Sequence, residues 1–234
     1  MRHIKANRYD DFSLTAAELI MNQLKKKPNS TLGLATGSTP KGMYEQLIKR
    51  LIDLSKAVTF NLDEYVGIAS DHPQSYRSFM EDNLFQHIRV GQTLIPDGEA
   101  ANLTLECERY EQLIKQHGGI DLQVLGLGHN GHIGFNEPGT PFSSRTHVVD
   151  LAETTRKANA RFFNSLDEVP KKAITMGIET IMEAEQIILL VYGEDKQEAV
   201  SRMLQGEVDE QFPASILHEH SNVTLLSGGV KVLN

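Results

Sequence analysis

Short apolar runs alternate with helix-like periodicity along the whole chain, and this alternation limits the fold more than any other feature. Strand-like runs are read at residues 31–35, 58–62, 122–125, 173–176, 187–192 and 223–226. Several are continuous rather than alternating, as expected of strands covered on both faces of a parallel sheet. Between them, Leu14, Ala17, Leu19, Ile20 and Leu24 mark one amphipathic helix. Tyr44, Leu47, Ile48 and Leu51 mark a second. Leu105, Tyr110, Leu113 and Ile114 mark a third, with Glu106, Glu108 and Lys115 on its wet face. Alternation of this kind predicts an α/β fold, an open and mostly parallel sheet with right-handed crossovers and helices on both faces. No internal repeat, low-complexity tract or flexible linker interrupts it, so residues 1–234 read as a single domain. The stretch 147–170 breaks the rhythm. It is polar and rich in Arg, Asn and Thr, and is a candidate lid.

The charge balance narrows the function. The net charge is −8, and the longest basic run, Lys25-Lys26-Lys27, ends a helical stretch before Pro28. Cations are favoured at that end of a helix whatever the protein does. The acidity argues against nucleic acid or an anionic membrane as partner, and leaves a small anionic substrate open. Cys107 is the only cysteine, so no intrachain disulfide can form, and its helical spacing with Leu103 and Tyr110 places it in the core. The N-terminal residues lack the apolar core of a signal peptide, and the run 187–192 is far too short to cross a bilayer. A cytoplasmic location is expected.

The densest chemistry lies in residues 126–141, directly after the strand-like run 122–125. Gly126, Gly128, Gly131 and Gly134 are interleaved with His129, Asn130, His132, Asn136 and Glu137. Glycine permits close approach of a ligand, and loops after strands of an α/β sheet are where ligands bind. Gly126-x-Gly128-x-x-Gly131 matches the dinucleotide-binding pattern literally. That pattern needs a helix to follow, and Gly134, Pro138, Gly139 and Pro141 oppose one. No nucleotide cofactor is expected. His129-x-x-His132 invites a metal, but a zinc site needs further ligands, and His218-x-His220 places its two rings on different helix faces. No metal is expected, and a histidine acting as acid or base near Glu137 is the better reading.

Three other places carry chemistry. Thr36-Gly37-Ser38-Thr39-Pro40 follows the first apolar strand and opens a helical pattern. Ser38 or Thr39 is expected to cap that helix, Pro40 to take its first turn, and the exposed N–H groups to attract an anion. Asp63 and Glu64 adjoin a strand end, where neighbouring side chains point to opposite sides. One can face a cleft as a general base while the other is tied into the scaffold. Lys196 opens a helix, against the dipole preference, which points to an anionic ligand there.

Taken together, Ala-Thr-Gly-Ser-Thr-Pro, Phe-Asn-Leu-Asp-Glu-Tyr-Val-Gly, Gly-His-Asn-Gly-His-Ile-Gly-Phe-Asn-Glu-Pro and Ala-Asn-Ala-Arg-Phe-Phe closely resemble the glucosamine-6-phosphate deaminases, in the same order over nearly the whole chain. The resemblance implies a Rossmann-like fold shared with 6-phosphogluconolactonases and ribose-5-phosphate isomerases. It implies conversion of glucosamine 6-phosphate to fructose 6-phosphate and ammonia with no cofactor or catalytic metal. By the same resemblance, Asp63 carries a proton between C2 and C1, His132 opens the pyranose ring, and Glu137 orients His132. Ser38, Thr39, Arg161 and Lys196 would bind the 6-phosphate, and Thr36, Gly37, Tyr65, Gly128 and Gly134 would be further substrate-binding residues.

Two departures stand out. Asn130 joins the catalytic group at a position where some members have Asp, which leaves Glu137 as the carboxylate assigned to His132. In allosteric hexameric members, basic residues after Ser-Arg-Thr help bind a second sugar phosphate. Here Ser144-Arg145-Thr146 is followed by His147-Val148-Val149, and the longer C-terminal segment of those members is absent. A monomer or small homo-oligomer without that activation is expected. A 6-phosphogluconolactonase shares the Gly-x-Thr-Pro loop, but that family's pattern lacks the tandem segments around Asp63 and His132. A non-catalytic sugar-phosphate sensor would need a DNA-binding module, for which no room is read before the first strand.

Overall fold

A run of consecutive apolar side chains can be hidden on a strand only where both faces of its sheet are covered. Two strands of this kind, Leu122–Gly126 (β6) and Ile187–Tyr192 (β9), pair with each other at the middle of a seven-stranded sheet. The computed structural model describes residues 1–230, with the side chains of Thr154, Ala158 and Phe162 excepted. The remaining strands are Arg2–Ala6 (β1), Thr31–Leu34 (β2), Leu54–Asn61 (β3), Asp63–Tyr65 (β4), Val90–Leu94 (β5), His147–Asp150 (β7), Lys172–Thr175 (β8) and Val223–Gly228 (β10). The helices are Tyr9–Lys26 (α1), Ser38–Lys49 (α2), Tyr76–Met80 (α3), Leu103–Gln116 (α4), Glu153–Asn159 (α5), Ile178–Met182 (α6) and Gln197–Gln205 (α7).

The large sheet has the order β1-β10-β9-β6-β2-β3-β5, and all its pairs are parallel. From β1 through β2 and β3 to β5 the chain advances across the sheet in one direction; from β5 through β6 and β9 to β10 it returns. Right-handed crossovers therefore put α1, α2 and α3 on one face and α4, α6 and α7 on the other. One hydrophobic cluster spans the sheet, joining Phe12, Ile20 and Leu47 to Phe60, Tyr110, Val124, Leu189 and Leu225. The direction reverses between β2 and β6, so the C-terminal ends of these neighbours open a crevice at a topological switch point.

A smaller antiparallel sheet, β4-β8-β7, lies over that edge. Residues 173–176, expected in the main sheet, fall mostly in β8 and belong here. Tyr65, Phe135, Leu151 and Ala173 form a satellite cluster beneath it. The candidate lid begins inside this sheet, because β7 is hydrogen-bonded to β8. Beyond it lie α5 and the short 3-10 turns Ala160–Phe162 and Leu166–Glu168.

Three expectations about helix faces fail for local reasons. Leu51 lies past the end of α2, with φ 51° and 86% exposure. Leu105 is 59% exposed on the outer side of α4. Glu106, read as wet, is buried, because it accepts from Asp97 N and pairs with Arg109. Cys107 is buried, as its spacing implied. No described helix is long and apolar enough to cross a membrane.

Candidate active site

Four neighbouring strands of the parallel sheet, β9, β6, β2 and β3, deliver the candidate residues to one edge. After β2, residues 36–39 enter α2 through Gly37, whose φ of 99° suits glycine. Gly37 is the residue before the helix, and Ser38, Thr39 and Pro40 form its first turn. No side chain caps it, so the expected Ser38 or Thr39 cap is not made. The loop is braced instead by tyrosines. Tyr9 donates to the carbonyls of Ser38 and Thr39 and accepts from Gly42 N, and Tyr44 donates to Ala35 O at 2.6 Å. Ser38 and Thr39 thus stand at a helix N-terminus, whose N–H groups favour anions.

After β3 the chain passes at once into β4, so Asp63 and Glu64 face opposite sides. Glu64 is tied into the scaffold, accepting from the backbone N–H groups of Tyr65, Tyr76 and Arg77 at 2.8–2.9 Å. It thereby closes the N-terminus of α3. Asp63 is buried on the other side, 7% exposed. Burial, with the nearby Glu64 charge adding to it, pushes its pKa from 3.8 up to about 8. Tyr65 is buried among Tyr76, Phe135 and Phe163, and its hydroxyl accepts from Asn159 Nδ2 at 2.9 Å. Burial pushes the Tyr65 phenol up to about 12.

The loop after β6 forms no helix before α5, as its glycines and prolines imply. It is pinned to the small sheet. Phe135 N donates to Thr175 Oγ1, and Asn136 Nδ2 bridges the carbonyls of Ile133 and Met176. Gly134 lies against this junction; a Cβ there would meet Thr175 Oγ1 at 2.9 Å and Asp63 Oδ2 at 3.7 Å. Gly128 is required by close approach, since a Cβ there would come within 2.3 Å of the His132 ring.

His132 does not bond Glu137 directly. Its Nδ1 lies 3.7 Å from Glu137 Oε2 but 2.8 Å from Asn130 Oδ1, and Asn130 Nδ2 donates to Glu137 Oε2 at 2.6 Å. The amide is thus inserted between ring and carboxylate, which revises the expected pairing. An amide oxygen only accepts, so Nδ1 carries the ring proton and Nε2 keeps a lone pair. Burial, aided by the neighbouring Lys196 and His129, holds the His132 pKa below the usual histidine value, and Glu137 opposes this. A neutral imidazole with Nε2 open can take a proton.

After β9, Lys196 stands immediately before α7. Its Nζ donates to His129 Nδ1 at 3.3 Å, and His129 Nε2 donates to Asp195 Oδ2 at 2.7 Å. Burial lowers the Lys196 pKa, with Asp195 opposing. The two histidines of the His-x-x-His spacing therefore have separate partners. Among the described residues no three His, Cys, Asp or Glu side chains gather as an ion site. Arg161 lies exposed in the 3-10 turn that follows α5.

Sequence reasoning gave no site role to Asp195, Thr155 or Asn159, and noted His129 only as part of the His-x-x-His spacing. Thr155 Oγ1 donates to Glu137 Oε1 at 2.7 Å, and Asn159 stands one turn further along α5. The spacing of those two polar residues was a readable signal for a helix with one side toward the site.

Comparison with known proteins finds relatives over nearly the whole chain. Residues 6–226 match the family described as glucosamine-6-phosphate isomerases/6-phosphogluconolactonase. The chain is 52% identical to the glucosamine-6-phosphate deaminase of Halalkalibacterium halodurans, over 97% of this chain and 95% of that one. It is 51% identical to glucosamine-6-phosphate deaminase 1 of Bacillus subtilis, over 97% and 96%. A solved monomeric glucosamine-6-phosphate deaminase superposes with a TM-score of 0.94 at 50% identity, covering 97% of each chain. The 6-phosphogluconolactonase of Thermotoga maritima, at 20% identity and a TM-score of 0.77 over 97% and 99%, shares the fold. The chain belongs to the glucosamine-6-phosphate isomerase/6-phosphogluconolactonase family.

Proposed function

We infer that this protein converts glucosamine 6-phosphate and water to fructose 6-phosphate and ammonia. The observation that carries this reading is the pairing, at one sheet edge, of a buried carboxyl with raised pKa and a neutral histidine whose Nε2 is open. His132 Nε2 takes the anomeric hydroxyl proton and returns it to the ring oxygen, opening the pyranose. Ionised Asp63 then removes the proton from C2 while the aldehyde oxygen takes up a proton given by the C2 ammonium group, and the Asp63 carboxylic acid so formed protonates C1 across one face of the enolamine. The resulting C2 imine adds water and releases ammonia. A base with a pKa near the working pH combines proton affinity with a useful ionised fraction.

Thr36, Gly37, Ser38 and Thr39, with Arg161 and Lys196, bind the 6-phosphate and so hold C1 and C2 against Asp63. Tyr65, Gly128 and Gly134 line the sugar. Within the candidate lid 147–170, the part beyond β7 covers the bound substrate. The enzyme works as a cytoplasmic monomer or small homo-oligomer on a free sugar phosphate, without nucleic acid, membrane, cofactor or metal. The high identity to a relative described as monomeric supports the smaller assembly.

Purified protein is expected to release ammonia from glucosamine 6-phosphate and none from N-acetylglucosamine 6-phosphate. Hydrolysis of 6-phosphogluconolactone without ammonia release from the amino sugar would overturn the reading.

A further inference from the structure

Glu137 has two carboxylate oxygens, and each receives one side-chain donor. Asn130 Nδ2 donates to Oε2, and the Thr155 hydroxyl donates to Oε1 at 2.7 Å. Thr155 comes from α5, and Asn159 on the next turn of that helix donates to Tyr65 Oη. The short helix is thereby fastened to both walls of the site.

An ionised carboxylate accepts and does not donate. It therefore makes the Asn130 amide turn its NH₂ toward Glu137 and its oxygen toward His132. That oxygen in turn makes His132 carry its proton on Nδ1. Each group in the series Thr155, Glu137, Asn130, His132 fixes the state of the next.

We propose that Thr155 is a positioning residue for His132, acting from α5 through Glu137 and Asn130 to hold the imidazole as the Nδ1–H tautomer with Nε2 open as base. The proposal rests on His132 being the ring-opening group. Without the Thr155 hydroxyl, Glu137 keeps one donor, and its carboxylate is free to turn about a broad terminal torsion. A turned carboxylate no longer dictates the amide orientation. A flipped amide presents NH₂ to Nδ1 and selects the other tautomer, whose Nε2–H cannot accept a proton from the sugar. Ring opening therefore requires α5 to be seated. The same helix leads into the turn that carries Arg161, so one element serves both the phosphate end and the ring end of the substrate.

The test compares Thr155→Val and Thr155→Ser with the wild-type protein labelled with heavy nitrogen in its histidines. The His132 signals, assigned by their loss in His132→Gln, are expected to show Nδ1 protonated and Nε2 bare above the histidine titration range. Thr155→Val should show mixed tautomers and lower kcat roughly tenfold, with KM for glucosamine 6-phosphate within about twofold of wild type. Thr155→Ser should restore both the tautomer and kcat. A valine variant that keeps the Nδ1–H signature and its turnover would overturn the proposal, as would a serine variant that falls as far as valine. Should valine unfold the chain, visible in every histidine signal, the serine variant and the wild-type tautomer carry the test. The tautomer is read without substrate. Absent ammonia release from the wild type would count against the catalytic reading while leaving the tautomer measurement to judge the positioning.

Discussion

A carboxyl group enclosed by strand backbone and aromatic rings holds its proton more tightly than one in water, and Asp63 is placed in this way. Its pKa of about 8 in the fold, against 3.8 ordinarily, has two measurable effects. Between those values the folded chain keeps a proton that the unfolded chain has lost. The stability that Asp63 contributes is therefore complete at acid pH and drains away as pH rises toward 8. Asp63→Asn cannot ionise, so its Tm should exceed that of wild type near pH 8, and the gap should close toward pH 4; calorimetry at the two ends checks the sign. The same variant should lose kcat by on the order of 10²–10⁴-fold with KM little changed, because an amide cannot take the C2 proton. Turnover near wild type would remove Asp63 from the role of base. At the other wall, Asn130→Asp would place a second negative charge on Nδ1 of His132, beside Glu137. Opposite charge favours imidazolium, so the His132 pKa should rise, and an NMR titration of the ring would register it. An unchanged titration would mean that Asn130 does not govern the ring.

At the scale of elements, legibility followed burial. Strands β2, β6, β9 and β10 and the second half of β3 are buried almost throughout, and their mostly apolar runs announced them. The edge strands β1 and β5, Arg-His-Ile-Lys-Ala and Val-Gly-Gln-Thr-Leu, are half exposed and carry no such signal. The run 173–176 was recognised as a strand but placed in the wrong sheet, because an apolar run reports burial and not partners. In the site, the Asp63–Glu64 pair and the histidines near Glu137 stood out by residue type and position after strands, while the choice of Asp63 and His132 within them came from the family resemblance. The Asn130 bridge and the Lys196–His129–Asp195 chain were not. The latter joins the loops after β6 and β9, which only the strand order brings together, whereas the former depends on how one loop folds upon itself. That chain bears on a further prediction. Lys196→Ala and Arg161→Ala should each weaken binding of sugar phosphate and inorganic phosphate by roughly 1.5–3 kcal/mol, the worth of a hydrogen bond to a charged group. The loss should vanish for unphosphorylated glucosamine. Titration calorimetry with inorganic phosphate separates this from a general loss of fold, which would weaken every ligand.

For the whole molecule, the parallel sheet gathers one site at one edge, and a second, regulatory anion site would need cations elsewhere. Arg145, beside the segment where allosteric relatives are expected to place such cations, is surrounded by Glu111, Glu179 and Glu183. Val148 and Val149 are committed to the β7–β8 ladder, and His147 Nδ1 is held to Arg145 O. Velocity should therefore be hyperbolic in glucosamine 6-phosphate, with or without the acetylated sugar. A Hill coefficient clearly above one that the acetylated sugar returns to unity would refute this.

The strand order has a separate consequence for biogenesis. β1, synthesised first, pairs among the described residues with β10 alone, Arg2 opposite Thr224 and Ala6 opposite Gly228. No local hairpin can shelter it meanwhile, and nearly the whole chain must be looped out before the pair can close. On the ribosome, β2 can meet β3 early, whereas the flank from β9 through β10 to β1 assembles only when synthesis is almost complete. An exposed edge of β9 then persists during elongation, open to chaperones and to pairing with other nascent chains.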